Sequence, residues 1–194
     1  MSAACSSNPS TATTTSTSAH PTSTSGSVTT TSASASTTTS AGTQRCEVAG
    51  LQGSAGGSSG AAGTIETTFV LKNTGSTACI LGGYPGLQLL GSSGASLPTK
   101  VVRGGSYSFT SMSPTTVTLA PGEAVAFNVG YSDVPVDNET SCPTSSSLEI
   151  TPPNAYDHLV VPASLAPCGG GTLVVSPVFS TTGSGSQTTA PAGG

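Results

Sequence analysis

Charge is what this chain most lacks: its 194 residues include only 4 Lys and Arg and 8 Asp and Glu, 6% of the whole. So few cations supply no basic surface to neutralise phosphates or to dock on anionic lipid headgroups, and no nucleic-acid partner is expected. Tryptophan is absent, with 4 Tyr and 4 Phe, so a core has to come mostly from Val, Leu, Ile and Ala. No run approaches the roughly 20 consecutive apolar residues of a membrane-spanning helix. No segment of helical length places apolar residues at i, i+3, i+4 and i+7 either. Met1 to Ala4 is also far shorter than the roughly 15 to 30 residues of a secretory signal.

Ser, Thr and Gly take the place of charge. From Ser6 to Thr43 the chain is almost entirely Ser, Thr and Ala, with His20, Pro9 and Pro21 and no carboxylate or ammonium. Such a segment cannot bury enough apolar surface to offset an ordering entropy of roughly 1 to 2 kcal/mol per residue. Residues 1–43 are therefore expected to be a disordered stalk, of the composition that accepts O-linked sugars. Residues 180–194 repeat this composition and are expected to be a second flexible tail. One domain at 44–179 remains between them.

Of the 5 cysteines, Cys5 is the odd one and stands at the head of the stalk. An odd cysteine in an exported protein is a free thiol, an intermolecular bridge or a modified residue. Ser2-Ala3-Ala4-Cys5 looks like the end of a bacterial lipobox without its usual aliphatic residue, so lipidation of Cys5 is expected, with the true start upstream. That would anchor an extracytoplasmic domain to a membrane.

Within the domain the signals are those of strands. Thr64 to Lys72 alternates, with Ile65, Thr67, Phe69 and Leu71 on one face and Glu66, Thr68, Val70 and Lys72 on the other. Asn73-Thr74-Gly75-Ser76 reads as a turn. Short apolar runs follow around Cys79–Leu81, Leu87–Leu90, Val101–Arg103, Val117–Leu119, Ala124–Tyr131, Leu148–Ile150, His158–Val161 and Leu173–Val175. Ala120-Pro121-Gly122-Glu123 predicts a tight turn joining its two flanking strands as a hairpin. Many short strands without helices predict an all-β fold, an immunoglobulin-like antiparallel β-sandwich.

Cys46, then Leu71-Lys72-Asn73-Thr74-Gly75, Ala78-Cys79-Ile80-Leu81-Gly82-Gly83-Tyr84-Pro85-Gly86-Leu87, Leu119-Ala120-Pro121-Gly122, Cys142 and Cys168 together resemble the DUF4232 domain family. The resemblance runs from about Cys46 to Pro177, and its most specific part is the Cys-x-Leu-Gly-x-Tyr-Pro-Gly block. It implies an all-β, immunoglobulin-like domain of exported proteins and lipoproteins of actinobacteria, of unknown function, and it supplies no catalytic residues to carry over. By themselves the four cysteines of the domain admit three connectivities; the resemblance favours Cys46 with Cys79 and Cys142 with Cys168. A zinc site competes, but there is no close Cys-x-x-Cys spacing and no histidine cluster.

Catalytic readings are thin. Gly56-Gly57-Ser58-Ser59-Gly60 fits Gly-x-Ser-x-Gly, with Asp157 and His158 following in hydrolase order, but that motif needs a strand-to-helix turn. Ser58 is expected in a flexible loop and His158 at a strand start. Asp133, Asp137 and Glu139, with Asn138, are weak candidates for a hard cation, without EF-hand spacing. Asn138-Glu139-Thr140 is a glycosylation sequon expected to be idle. Tyr84 is expected to be a packed corner residue, and Tyr84, Tyr107 and Phe109 form a candidate contact surface.

These readings converge on a non-enzymatic, lipid-anchored envelope domain that binds or scaffolds an envelope protein or glycan as a monomer, with no cofactor. The alternatives are an accessory subunit or weak hydrolase using His158 and Asp157, and a structural spacer.

Overall fold

The alternation in Thr64 to Lys72 becomes a strand whose apolar face is sealed. Thr67, Phe69 and Leu71 are buried there, whereas Thr68 and Val70 are half-buried and Lys72 is exposed. The computed structural model describes residues 43–105, 107 and 109–181. Cys5, the stalk up to residue 42 and the tail after Thr181 lie outside the described residues.

The strands in chain order are β1 (Leu51–Ala61), β2 (Thr64–Asn73), β3 (Cys79–Gly82), β4 (Gly86–Leu90), β5 (Lys100–Arg103), β6 (Thr116–Leu119), β7 (Ala124–Ser132), β8 (Ser147–Thr151), β9 (Leu159–Pro162), β10 (Thr172–Val175) and β11 (Phe179–Ser180). Helical content among the described residues is a 3-10 turn at Val48–Gly50 and a short turn at Cys168–Gly171. The chain is all-β, and no described helix is long and apolar enough to cross a membrane.

Three sheets share one core. The largest runs β1-β2-β7-β10-β5, with β11 also on β7. The others are β3-β6 and β4-β8-β9. Among the described strands the pairings are antiparallel except β10 with β5, where Thr172 to Val175 run parallel to Lys100 to Arg103. This corrects the purely antiparallel expectation. A parallel neighbour requires a long crossover, and the chain from β5 to β10 supplies one by passing through the other two sheets. Buried side chains from all three sheets meet in a single cluster, with Phe69 and Phe127 stacked at its centre, ring centroids 5.5 Å apart. Leucine and valine make up most of the rest, as the missing tryptophan requires.

Two expectations are corrected. The segment around Ser58, expected as a loop, is strand β1, paired with β2 from Leu51↔Asn73 to Ala61↔Thr64 across a bulge between Ala55 and Ser58. Its Gly, Ser and Ala side chains carry no apolar signal, and the ladder rests on backbone groups. Ala62 (φ 50°) and Gly63 (φ 76°) close the hairpin, the positive-φ pair that a type I′ turn demands. The other correction concerns Ala120–Glu123. It does turn, with Glu123 N donating to Ala120 O at 3.0 Å and Gly122 at φ 85°. It does not make a hairpin: β6 pairs with β3 and β7 with β2, so the turn passes the chain between sheets.

Asn73 locks that crossing. Buried to 2% exposure, it donates through Nδ2 to the Thr77 and Leu119 carbonyls at 2.9 and 3.0 Å, and its Oδ1 accepts from Gly75 N at 2.9 Å. Its backbone bonds both Glu123 and Gly122. A buried amide with all its groups paired favours one arrangement over others, because each alternative would leave a donor unmet. At the other end, β11 carries order through Ser180, and the Thr181 hydroxyl donates to the Ala124 carbonyl.

Candidate functional site

The Cys46–Cys79 disulfide fixes the start of the domain. Its Cα atoms are 4.8 Å apart, and Cys46 N donates to Ile80 O while Ile80 N donates to Gln44 O. Arg45 and Glu47, on either side of Cys46, are thereby held beside β3. Opposite them runs the β8–β9 loop. Pro152 and Pro153 are buried, Ala155 N donates to Pro152 O at 3.0 Å, and Asn154 takes φ 61°, a conformation that Asn tolerates. Asn154 Nδ2 reaches the Gly82 carbonyl at 3.4 Å, and Arg45 Nη1 donates to the Asn154 carbonyl at 3.4 Å.

This loop lifts Tyr156 fully into solvent, at 100% exposure. A cleft of about 240 Å³ lies between the two walls, lined by Arg45, Glu47, Asn154, Tyr156 and Asp157 among others. A second hollow, of about 500 Å³, shares Arg45 and Glu47 in its lining and reaches Asn73, Thr77 and Cys79. An exposed ring, a guanidinium, two carboxylates and an amide can stack on a flat group and exchange hydrogen bonds with hydroxyls. Sequence reasoning missed Tyr156, Arg45 and Glu47. The available signal was Pro152-Pro153-Asn154, a stiff turn directly before an aromatic flanked by polar residues.

The three aromatics of the candidate contact surface are half-buried. Tyr84 packs against the core at the corner made with buried Pro85, its hydroxyl close to Gly104. Tyr107 and Phe109 stack on each other, centroids 5.2 Å apart and planes 5° from parallel. They cover Gly130 on the outer face of β7, where an added Cβ would meet Phe109 at about 2.5 Å. Asn128 beside it is buried too, its Nδ2 donating to the Phe109 carbonyl at 3.3 Å and its Oδ1 accepting from the Thr68 hydroxyl at 2.9 Å.

The hydrolase-like residues are not assembled. Ser58 bonds Thr67 across the β1–β2 ladder, hydroxyl to hydroxyl at 2.8 Å. His158 Nε2 lies 3.3 Å from Glu149 Oε2, on the surface of the β8–β9 pair. Asp157 lines the Tyr156 cleft. No strand-to-helix turn follows Ser58, because β1 runs straight into a hairpin.

Glu139 has a different partner from any cation. Gly169, Gly170 and Gly171 follow one another at φ 65°, 68° and 78°, a left-handed turn open to glycine alone that points successive N–H groups one way. Into it Glu139 places its carboxylate, accepting from Gly169 N at 2.9 Å, Gly170 N at 2.8 Å and Val136 N at 3.2 Å. The N–H of Gly169, then those of Gly170 and Val136, hold its carboxyl below the usual carboxylate range. Asp133 and Asp137 are exposed, and Asp137 lines a hollow of about 450 Å³ together with Glu139, Gly169 and Gly170. Among the described residues, the one group of three metal-capable side chains is Glu139 with Cys142 and Cys168. Those two cysteines are bonded to each other, Cα atoms 4.8 Å apart. With all four domain cysteines oxidised, the zinc reading falls. Burial raises the carboxyl of Glu66. Burial also raises Tyr131, against a hydrogen bond from the Ala166 backbone.

Glu139→Gln should weaken this clasp, since an amide presents an N–H₂ group to backbone donors. A carboxylate with a depressed folded pKa adds stability above its unfolded value, ordinarily 4.5, and loses it as pH falls through the folded value. Urea midpoints of wild type and variant are expected to differ at neutral pH and to converge in acid. Equal midpoints at neutral pH would show that the clasp adds nothing.

An all-β domain with two disulfides, a locked Asn73 turn and a Tyr-Pro-Gly corner is what these elements define. The model of a domain of unknown function, DUF4232, matches residues 46–179, most of the chain. The chain belongs to that family, and its disulfides pair as the resemblance implied, Cys46 with Cys79 and Cys142 with Cys168. No curated protein and no solved structure matches it.

Proposed function

We propose that this chain is a non-enzymatic binding or scaffolding domain of a bacterial cell envelope. It is held on the outer side of the cell membrane by lipid on Cys5 and carried on the Ser/Thr-rich stalk. The observation that carries the reading is the pair of disulfides: all four cysteines of the domain are bonded, Cys46 to Cys79 and Cys142 to Cys168. Structural disulfides persist in oxidising, extracytoplasmic compartments. The three sheets around one core fit an immunoglobulin-like sandwich, a frame that commonly presents loops at its ends for contact. Ser58 pairs with Thr67 and His158 with Glu149, which supports a non-catalytic role.

Mass spectrometry of natively produced protein tests the anchor. A diacylglyceryl mass on a mature N-terminal peptide beginning at Cys5 is expected; an unmodified Cys5 still preceded by Ala4 would contradict it.

A further inference from the structure

We propose that Tyr156 is the stacking platform of a saccharide-binding site lined by Arg45, Glu47, Asn154 and Asp157. The inference rests on the binding-domain reading and names the ligand class for it: a neutral polysaccharide chain. Tyrosine usually buries its ring, yet Tyr156 is wholly exposed, on a loop whose backbone is pinned from three directions. The buried prolines hold its base, Asn154 ties it to Gly82, and Arg45 ties it to the disulfide-braced wall. A ring held out on a rigid support loses little conformational freedom when a ligand covers it.

The rim selects the chemistry. Arg45, Glu47 and Asp157 are three of the chain's 12 charged residues (4 cationic and 8 acidic), gathered on one small cleft. Two carboxylates against one guanidinium disfavour a phosphate or another anion. Sugar hydroxyls both donate and accept, so they can meet a guanidinium, carboxylates and an amide in one site. The C–H face of a sugar ring supplies the apolar surface for Tyr156. A protein hot spot would instead be embedded in a wider apolar patch that excludes water, whereas this cleft is rimmed by charge. Its volume of about 240 Å³ lies below the ~300–1,000 Å³ of drug-sized pockets and suits a ring-sized unit. The adjoining hollow, sharing Arg45 and Glu47, suits the next unit of a repeating chain.

The absence of tryptophan makes tyrosine emission a direct reporter. The full chain is titrated with neutral gluco-, manno-, galacto- and chito-oligosaccharides, followed by tyrosine fluorescence and by saturation-transfer NMR. At least one series is expected to bind. Tyr156→Ala should weaken that binding roughly ten-fold, the scale of a lost aromatic contact, and Tyr156→Phe should retain it. The thermal midpoint of Tyr156→Ala should match wild type, since the ring is fully exposed. Sugar binding that survives Tyr156→Ala overturns the site, and so does a panel in which no sugar binds. Photo-crosslinking from position 156 on cells separates the two failures: capture of an envelope protein replaces the sugar with a protein partner while the binding-domain reading stands. An unlipidated Cys5 contradicts the anchored reading independently of any sugar result.

Discussion

Reduction of both disulfides is expected to unfold the domain at ambient temperature. Cys46–Cys79 and Cys142–Cys168 close loops with sequence separations of 33 and 26. The chain-entropy account assigns loops of this length about 3.5 kcal/mol each, ~7 kcal/mol together. Net stability of a domain is typically about 5 to 15 kcal/mol, so losing both bridges removes most or all of it. Cys46, Cys79 and Cys168 are buried, while Cys142 is half-buried; reductant is therefore expected to open Cys142–Cys168 first. Urea unfolding followed by far-UV circular dichroism, with and without dithiothreitol, checks this. A midpoint unchanged after full reduction, verified by thiol titration, would show that the core stands without its bridges.

The other large effect belongs to Phe127. It is fully buried on β7, the strand that pairs with β2, β10 and β11, and it stacks on Phe69. Phe127→Ala removes a fully buried ring from a core without tryptophan, and close-packed neighbours relax only partly into the space left behind. A loss of about 3 to 5 kcal/mol is expected. Phe127→Leu keeps most of the volume and should cost clearly less. A cycle with Phe69→Ala should fall short of additivity, because either single change already removes the ring contact. Urea midpoints at constant m value measure all three; an alanine variant within about 1 kcal/mol of wild type would place the core elsewhere.

Strands that alternate apolar and polar residues were legible because burial itself writes that period. Thr64 to Lys72 and Ala124 to Tyr131 are found where the pattern puts them. β1 was not legible, since Gly and Ser carry no period and its place depends on ladder bonds to β2. The same limit applies to Ala120–Glu123: a turn is local, but whether its flanking strands pair depends on Asn73, nearly fifty residues upstream, and on β3. The cysteine pairing came from family resemblance, because spacing alone left three connectivities open.

The candidate site divides in the same way. Tyr107 and Phe109 looked like loop aromatics, and only the glycine at position 130 of β7 reveals the space that receives them. Glu139 looked like a cation ligand, but a run of three glycines some thirty residues later gives it backbone donors instead. Tyr156 drew no notice because exposure is a tertiary property. The disulfide at Cys46 and the buried prolines before Tyr156 build its setting from segments more than a hundred residues apart.

Thiol trapping in intact cells tests the central claim, a disulfide-stapled domain working outside the cytoplasm. Native cells are treated with an alkylating reagent, and the protein is then isolated, denatured, reduced and labelled with a second, heavier reagent. Cys46, Cys79, Cys142 and Cys168 are predicted to carry only the second label. The first label on all four would place the protein in a reducing compartment and contradict the account.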